Sequence, residues 1–81
     1  MSQKHVLARL NLKPGSKAQF VPVLKQLVES TQAEAGTLQY AAHFDGDDTV
    51  VFYEVYKDDE ALAIHSRNLK KVPLFSFSHS V

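Results

Sequence analysis

Residues 37–56 have the sequence TLQYAAHFDGDDTVVFYEVY, and this stretch decides the fold. Its two halves, 37–44 and 49–56, are rich in aromatic and β-branched side chains, which favour strands. The DGDD segment between them, residues 45–48, consists of turn-forming residue types. The stretch therefore predicts a β-hairpin.

The length of the hairpin loop sets which side chains share a face of the sheet. A loop over 45–48 places Tyr40 opposite Tyr53 and Phe44 opposite Thr49. The face predicted to pack under helices then carries Leu38, Tyr40, Ala42, Phe44, Val51, Tyr53 and Val55. The opposite, mixed face carries Gln39, Ala41, His43, Val50, Phe52, Glu54 and Tyr56. A loop that differs by one residue exchanges the two faces of one strand.

Outward from the hairpin, residues 5–12 alternate with a period of two and predict another strand. Its apolar side chains belong with the helix-facing set: Val6, Ala8, Leu10 and Leu12. After the hairpin, the acidic run at 58–60 predicts the start of a helix, because acids favour its positive end.

A first helix is predicted between the first strand and the hairpin. Ser16 and Gln19 match a capping box at its start, and Gly36 suits a left-handed stop after its end. Pro22 removes one intrahelical hydrogen bond, so we expect a kink there or a later start.

The order is β-α-β-β-α, with residues 74–81 as a possible short final strand in a single domain spanning 1–81. This is the α+β, ferredoxin-like split βαβ pattern. In it the first and third strands are neighbours, and the last strand normally covers the free edge of the first. A short last strand leaves that edge open, which favours pairing with a second chain.

Composition excludes several classes of protein. The 81 residues carry 9 Lys+Arg, 9 Asp+Glu and no Cys. A disulfide scaffold and a thiolate metal site are excluded, and the charge balance argues against binding nucleic acid or acidic membranes. No apolar run approaches a membrane span or a signal peptide. We expect a cytoplasmic protein without metal or cofactor.

The most informative single residue is His65. Leu62, His65 and Leu69 form one stripe of the second helix, so His65 should point at the apolar sheet face. That geometry predicts an imidazole close to the phenols of Tyr40 and Tyr53. An imidazole suits acid–base chemistry at neutral pH, and it equally suits a purely structural hydrogen bond.

Several segments in order resemble the antibiotic biosynthesis monooxygenase family. They are KPG at 13–15, TQAEAG at 31–36, TLQY at 37–40, FYEVY at 52–56, and EAL at 60–62 followed by His65. The pattern is a Glu-x-Gly before a strand, a Phe-x-Glu-x-aromatic strand and an Ala-x3-His helix, over roughly residues 5–69.

The resemblance implies a dimeric α/β barrel, in which the sheets of two ferredoxin-like subunits face each other. It also implies cofactor-independent oxygenation of a small aromatic, quinol-type molecule by dioxygen, with His65 as the catalytic base. We assign the substrate contacts to Tyr40, Tyr53, Phe44 and Asn68. The mixed sheet face supplies the predicted homodimer contacts: Arg9, His43, Phe52, Glu54 and Tyr56. We expect Arg9 and Glu54 to form an ion pair between strands or between subunits, and they become candidate catalytic residues if the register slips.

Two other functions fit the same residues. The chain is alternatively a non-catalytic small-molecule-binding or structural dimer, with Tyr40 and Tyr53 as core residues and the inner space filled by leucines. It is alternatively an isomerase, in which His65 moves a proton and no oxygen is consumed.

Overall fold

The computed structural model describes residues 2–70. Its elements are β1 (Lys4–Asn11), α1 (Lys17–Gln32), β2 (Thr37–Phe44), β3 (Thr49–Tyr56) and α2 (Asp59–Leu69). This order confirms the predicted β-α-β-β-α pattern, and both hairpin strands have the predicted bounds. The short final strand predicted at 74–81 lies outside the described residues.

The three strands form one antiparallel sheet in the order β1-β3-β2. β3 is therefore central, and β1 and β3 are neighbours as the split βαβ pattern predicts. Within residues 2–70, β1 and β2 are the edges of the sheet. Both α1 and α2 pack on one face of the sheet, and within residues 2–70 no helix covers the other face.

The hairpin register differs from the predicted one by a single residue. Tyr40 pairs with Glu54 and not with Tyr53. Because side chains alternate along a strand, this shift exchanges the two faces of β3. The prediction for β3 was therefore wrong: Val50, Phe52, Glu54 and Tyr56 face the helices, and Val51, Tyr53 and Val55 lie on the opposite, outer face.

The cause of the shift is the way the turn closes. The amide of Asp45 donates to the carbonyl of Thr49 over 2.8 Å, so only Gly46, Asp47 and Asp48 remain in the loop. Gly46 has φ of +79°, a left-handed conformation that glycine adopts without strain. The loop therefore covers residues 46–48 and is one residue shorter than the predicted loop over 45–48.

A second irregularity lies at the start of β2. The register shifts between Thr37 and Gln39, so Leu38 is an extra residue in the ladder. Its side chain is 53% exposed. The prediction that Leu38 belongs to the buried face was wrong, because the bulge removes it from the alternation.

The core lies between the sheet and α1. Ala8 and Leu10 of β1 pack against it, which confirms the predicted inner face of that strand. Its fully enclosed members come from the end of β1, from α1 and from both hairpin strands: Leu12, Phe20, Leu27, Tyr40, Val50 and Phe52.

The helix starts follow the sequence only in part. Asp58 caps α2 as expected, since its Oδ1 accepts from the amide of Ala61 over 2.9 Å. The capping box at Ser16 is not formed, because its hydroxyl donates back to the Lys13 carbonyl over 2.6 Å. Pro22 lies inside α1, which begins at Lys17 and is not delayed.

Gly36 does not serve as a left-handed helix stop. Among the described residues, only Gly15 and Gly46 have positive φ. A Cβ on Gly36 would collide with the Cβ of Ala61 on α2, so glycine here permits close approach of the two segments. The carbonyl of Gly36 also accepts from the amide of Lys57 over 2.9 Å.

We expect Gly36→Ala to lower the free energy of unfolding by about 1–3 kcal/mol, because the added methyl overpacks this contact. Chemical denaturation measures the loss. The matched control is the double variant Gly36→Ala/Ala61→Gly, which removes the methyl group that collides and should recover part of the lost stability. Strict additivity of the two single changes would contradict a direct contact.

Candidate functional site

His65 of α2 lies buried against the sheet and is 4% exposed. Its ring is 5.4 Å from that of Tyr40 and 5.3 Å from that of Tyr56, measured between centroids. The predicted proximity of His65 and Tyr40 is therefore observed. The second phenol at the imidazole belongs to Tyr56, because the register of β3 turns Tyr56 inward.

Tyr53, the other predicted phenol, is not part of this cluster. It lies on the outer face of the sheet and is 39% exposed. Its hydroxyl is 3.2 Å from Nδ1 of His5 on β1. The predicted position of Tyr53 beside His65 was wrong because of the same one-residue shift in register.

Two carboxylates flank the imidazole. Nδ1 of His65 is 3.4 Å from Oε1 of Glu34, and Nε2 is 3.9 Å from Oε1 of Glu54. The carboxylate side chains are only 12% and 8% exposed, respectively. Carboxylates are rarely buried unless they are paired or hydrogen-bonded, so this arrangement marks the centre of a candidate site.

The phenols beside the carboxylates have raised pKa values and stay protonated. The hydroxyl of Tyr56 donates to Oε1 of Glu54 over 2.6 Å. Burial, this hydrogen bond and the nearby carboxylate charge raise the pKa of Tyr56 far above its usual value. Burial and the charge of Glu54 also raise the pKa of Tyr40, against a weaker opposing hydrogen bond with Thr31.

A pocket of about 150 Å³ opens between the sheet and the helices beside this cluster. Its two inward polar side chains are Tyr40 and Glu54, and most of the remaining wall is apolar. His65 is not among the residues that line it within the described part of the chain. The lining residues are Ala8, Arg9, Leu10, Leu27, Tyr40, Phe52, Glu54 and Leu69.

The other two predicted substrate contacts lie elsewhere. Phe44, at the end of β2, packs against the core, and Nζ of Lys17 lies 4.6 Å from its ring centroid. Asn68 of α2 donates to Oε2 of Glu34 over 3.0 Å. Neither lines the pocket beside Tyr40.

Asn68 and Glu34 instead belong to a larger and more polar cleft of about 360 Å³. It lies between the segment before β2, the segment after β3, and α2. Its other lining residues are Ala35, Gly36, Lys57, Asp58, Glu60, Ala61 and Ile64. The two buried carboxylates thus line two different recesses, with His65 between them.

The predicted dimer contacts divide between the two faces of the sheet. Phe52, Glu54 and Tyr56 are buried under the helices, so their assignment to a subunit interface was wrong. Arg9 and His43 are exposed on the outer face as predicted.

The expected pairing of Arg9 with Glu54 does not occur either. Nη2 of Arg9 donates to Oδ2 of Asp45 over 2.8 Å, at the hairpin turn. Glu54 projects from the other face of the sheet, where Tyr56 and His65 are its partners.

Sequence reasoning missed Glu34 and Tyr56 as site residues, and it considered Glu54 for catalysis only in the case of a shifted register. For Glu54 and Tyr56 the available signal was their period-two alternation with Phe52, which places them together whichever face is chosen. For Glu34 the signal was its place in a Glu-x-Gly segment directly before a strand.

Among residues 2–70, no group of three or more His, Cys, Asp or Glu side chains is arranged to hold a metal ion. No helix in that part of the chain has the length and apolar character needed to cross a membrane.

Comparison with known proteins agrees with the fold. The family model described as antibiotic biosynthesis monooxygenase matches residues 5–70. No curated protein sequence matches the chain significantly.

Solved structures with the same fold align with nearly the whole chain. A conserved protein from Methanosarcina mazei Go1 is 26% identical, with a TM-score of 0.85 over 98% of this chain and 84% of its own. PA3566 from Pseudomonas aeruginosa is 26% identical, with a TM-score of 0.81 over 94% and 83%. A structure described as an antibiotic biosynthesis monooxygenase is 26% identical, with a TM-score of 0.80 over 99% and 90%.

Because Tyr40 and Tyr56 are buried, we expect the protein to lose stability at alkaline pH. Tyr40 and Tyr56 have raised pKa values in the folded state, whereas in the unfolded chain each ionises near 10.0. Their stabilising contribution is complete below that pH and declines as the pH rises above it. Each tyrosine lowers the free energy of unfolding by about 1.4 kcal/mol per pH unit in this range.

Denaturation of the wild type and of Tyr56→Phe between about pH 9 and 11.5, an interval that brackets the ordinary tyrosine pKa, measures this effect. The variant should show a shallower decline with pH, whatever its stability at neutrality. Parallel declines in the two proteins would contradict the raised pKa of Tyr56.

Proposed function

The chain belongs to the antibiotic biosynthesis monooxygenase family, and on that premise we propose that it oxygenates a small quinol-type aromatic molecule with dioxygen and without a cofactor. The observation that carries the proposal is the pocket beside Tyr40, whose apolar wall is interrupted by a buried carboxylate backed by an imidazole. That combination suits an aromatic ring that must lose a proton.

The pocket has the size and polarity for one aromatic ring. Its volume is about 150 Å³, and an apolar protein cavity of about 150 Å³ is large enough to bind benzene. Apolar side chains from β1, α1 and α2 line it, and they favour burial of a ring. Tyr40 and Glu54 supply the polar groups that orient a substrate hydroxyl.

The first chemical step is removal of the hydroxyl proton. Glu54 lines the pocket, so its carboxylate accepts the proton directly, and His65 behind it takes part in holding the proton. The sequence assigned the role of base to His65 alone. The proposal therefore keeps His65 in the acid–base pair and adds Glu54 as the member that contacts substrate.

The oxygenation is balanced without any further reactant. The quinolate gives one electron to dioxygen, and the two radicals combine to form a C–O bond and a peroxide. The proton returns to the distal oxygen, the O–O bond breaks to release hydroxide, and the hydrogen of the ring carbon leaves as the proton that converts this hydroxide into water. The products are a hydroxylated quinone and one water, and the quinol has supplied all four electrons that reduce dioxygen.

Tyr40 has a separate role in this scheme. Its raised pKa keeps the phenol protonated, so it donates a hydrogen bond to the developing negative charge on the substrate oxygen. Its ring also lies 5.9 Å from that of Phe52, which closes one side of the pocket.

Oxygen uptake with a panel of small quinols and anthrones tests the proposal. We expect turnover by the wild type and a loss of about 100-fold or more in Glu54→Gln and in His65→Ala, since each removes part of the acid–base pair. Glu29→Gln, an exposed position on α1, is the charge-matched control and should keep wild-type activity.

Two results would count against the oxygenase. Conversion of a substrate under nitrogen favours the isomerase, because that reaction consumes no oxygen. Binding of aromatic molecules without conversion, by the wild type as well as by Glu54→Gln, favours a binding protein.

We further propose that the chain forms a homodimer through the outer face of its sheet. Leu7 and Tyr53 form a cross-strand pair on this face and are 74% and 39% exposed, and Val51 and Val55 flank Tyr53 on the central strand. An apolar sheet face without a helix is unfavourable in water, and a second copy presents a matching surface. Arg9 and His43 are the predicted contacts that remain on this face.

Leu7→Asp should convert the dimer into monomers, because two facing copies would bury two carboxylates. Light scattering at micromolar concentration measures the mass. Val21→Asp is the control, since Val21 is 47% exposed on α1 and away from the sheet. A monomeric wild type, or loss of the dimer in both variants, would contradict the proposed interface.

A further inference from the structure

His65 joins the two recesses of the molecule. Its Nε2 faces Glu54, which lines the pocket of about 150 Å³, and its Nδ1 faces Glu34, which lines the cleft of about 360 Å³. A buried imidazole with a carboxylate on each nitrogen has the topology of a proton path. One end of the path is at the substrate pocket and the other is at a solvent-accessible cleft.

One detail argues against a purely structural role for the imidazole. Within the described residues, Nδ1 of His65 is the single buried side-chain nitrogen or oxygen without a hydrogen bond. A buried polar atom without a hydrogen bond is destabilising, because the contacts it makes with water in the unfolded chain are not replaced. A histidine retained only for stability would be expected to satisfy this atom, whereas proton-transfer contacts are often long before substrate binds.

Glu34 is itself held in place for the contact. Asn68 donates to its Oε2 over 3.0 Å, and the hydroxyl of Thr37 donates to its Oε1 over 3.4 Å. The close packing of Gly36 against Ala61 fixes the segment just after it. Oε1 therefore points at His65 while the rest of the carboxylate borders the cleft.

We propose that Glu54, His65 and Glu34 form a proton relay that carries the substrate proton out of the pocket to the cleft and returns it later in the same turnover. Glu34 is a positioning residue in this relay, since it acts through His65 and does not contact substrate. The inference rests on the proposed oxygenase chemistry, which needs a proton removed before oxygen reacts and restored when the peroxide breaks.

The relay balances and resets itself. The substrate hydroxyl gives its proton to Glu54, Glu54 gives it to Nε2, and the Nδ1 proton moves to Glu34. During peroxide cleavage the three transfers run in reverse, so the distal oxygen receives a proton and the imidazole regains its starting tautomer. The titratable groups that face His65 from the neighbouring elements are Glu34, Glu54, Tyr40 and Tyr56.

Kinetics of Glu34→Gln provide the first test. The amide keeps the size of the side chain and a hydrogen-bond acceptor, but it cannot take up a proton. We expect kcat to fall by about 100-fold with KM nearly unchanged, and a larger solvent deuterium isotope effect. Glu34→Asp should recover part of the rate, and Glu60→Gln, which removes a charge from the same cleft away from His65, should not change it.

Chemical rescue separates a relay from a structural contact. In Glu34→Ala, formate added to the solution should raise kcat in a concentration-dependent way, because a small carboxylate in the cleft replaces the missing acceptor. The same salt should not affect Glu60→Gln. A wild-type kcat in Glu34→Gln, or a reduced kcat in Glu34→Ala that formate does not raise, overturns the relay while the oxygenase proposal stands.

A measurement without substrate tests the relay independently of the proposed function. NMR of ¹⁵N-labelled histidine follows exchange of the His65 ring proton with water in the wild type, Glu34→Gln and Glu60→Gln. The relay predicts slower exchange only in Glu34→Gln. Equal exchange in all three proteins overturns it, and slower exchange in an enzyme that consumes no oxygen supports the path while refuting the oxygenase.

Discussion

The burial of Glu54 on the central strand is the constraint on which the rest of the structure depends. Its side chain is 8% exposed and faces the helices. An isolated carboxylate there would be strongly destabilising, so the site must supply hydrogen bonds and charge. Tyr56 supplies a short hydrogen bond from the same strand, and His65 supplies an imidazole from α2. The polar centre and the hairpin register therefore require each other.

This coupling explains which features of the fold could be predicted from the sequence and which could not. Strand bounds, helix positions and their order depend on local patterns and were predicted. The register also depends on how the turn closes, with a hydrogen bond between Asp45 and Thr49 and a glycine at 46. In β3 both faces are largely apolar, so hydrophobic alternation does not choose between them. Glu54, the one acidic residue of β3, favoured the wrong face in the prediction, because a glutamate is normally expected to face solvent.

The site residues divide in the same way. His65 and Tyr40 were placed correctly because a helical stripe and a strand alternation each define a direction. Glu34 lies in the connection between α1 and β2, where no periodicity applies. Its position follows from the contact of Gly36 with Ala61 and from the hydrogen bond of Asn68, which are long-range features. Residues whose positions do not follow local sequence patterns are expected at functional sites.

The charges of the cluster indicate what it can do. Glu34 and Glu54 are two potential anions around one imidazole, and the phenols of Tyr40 and Tyr56 stay neutral because their pKa values are raised. The carboxylates and the imidazole are the groups of the cluster that can take up a proton, whereas the phenols keep theirs. The cluster is therefore suited to deprotonate a neutral hydroxyl. Tyr40, the phenol that lines the pocket, is the neutral donor placed to stabilise the new phenolate.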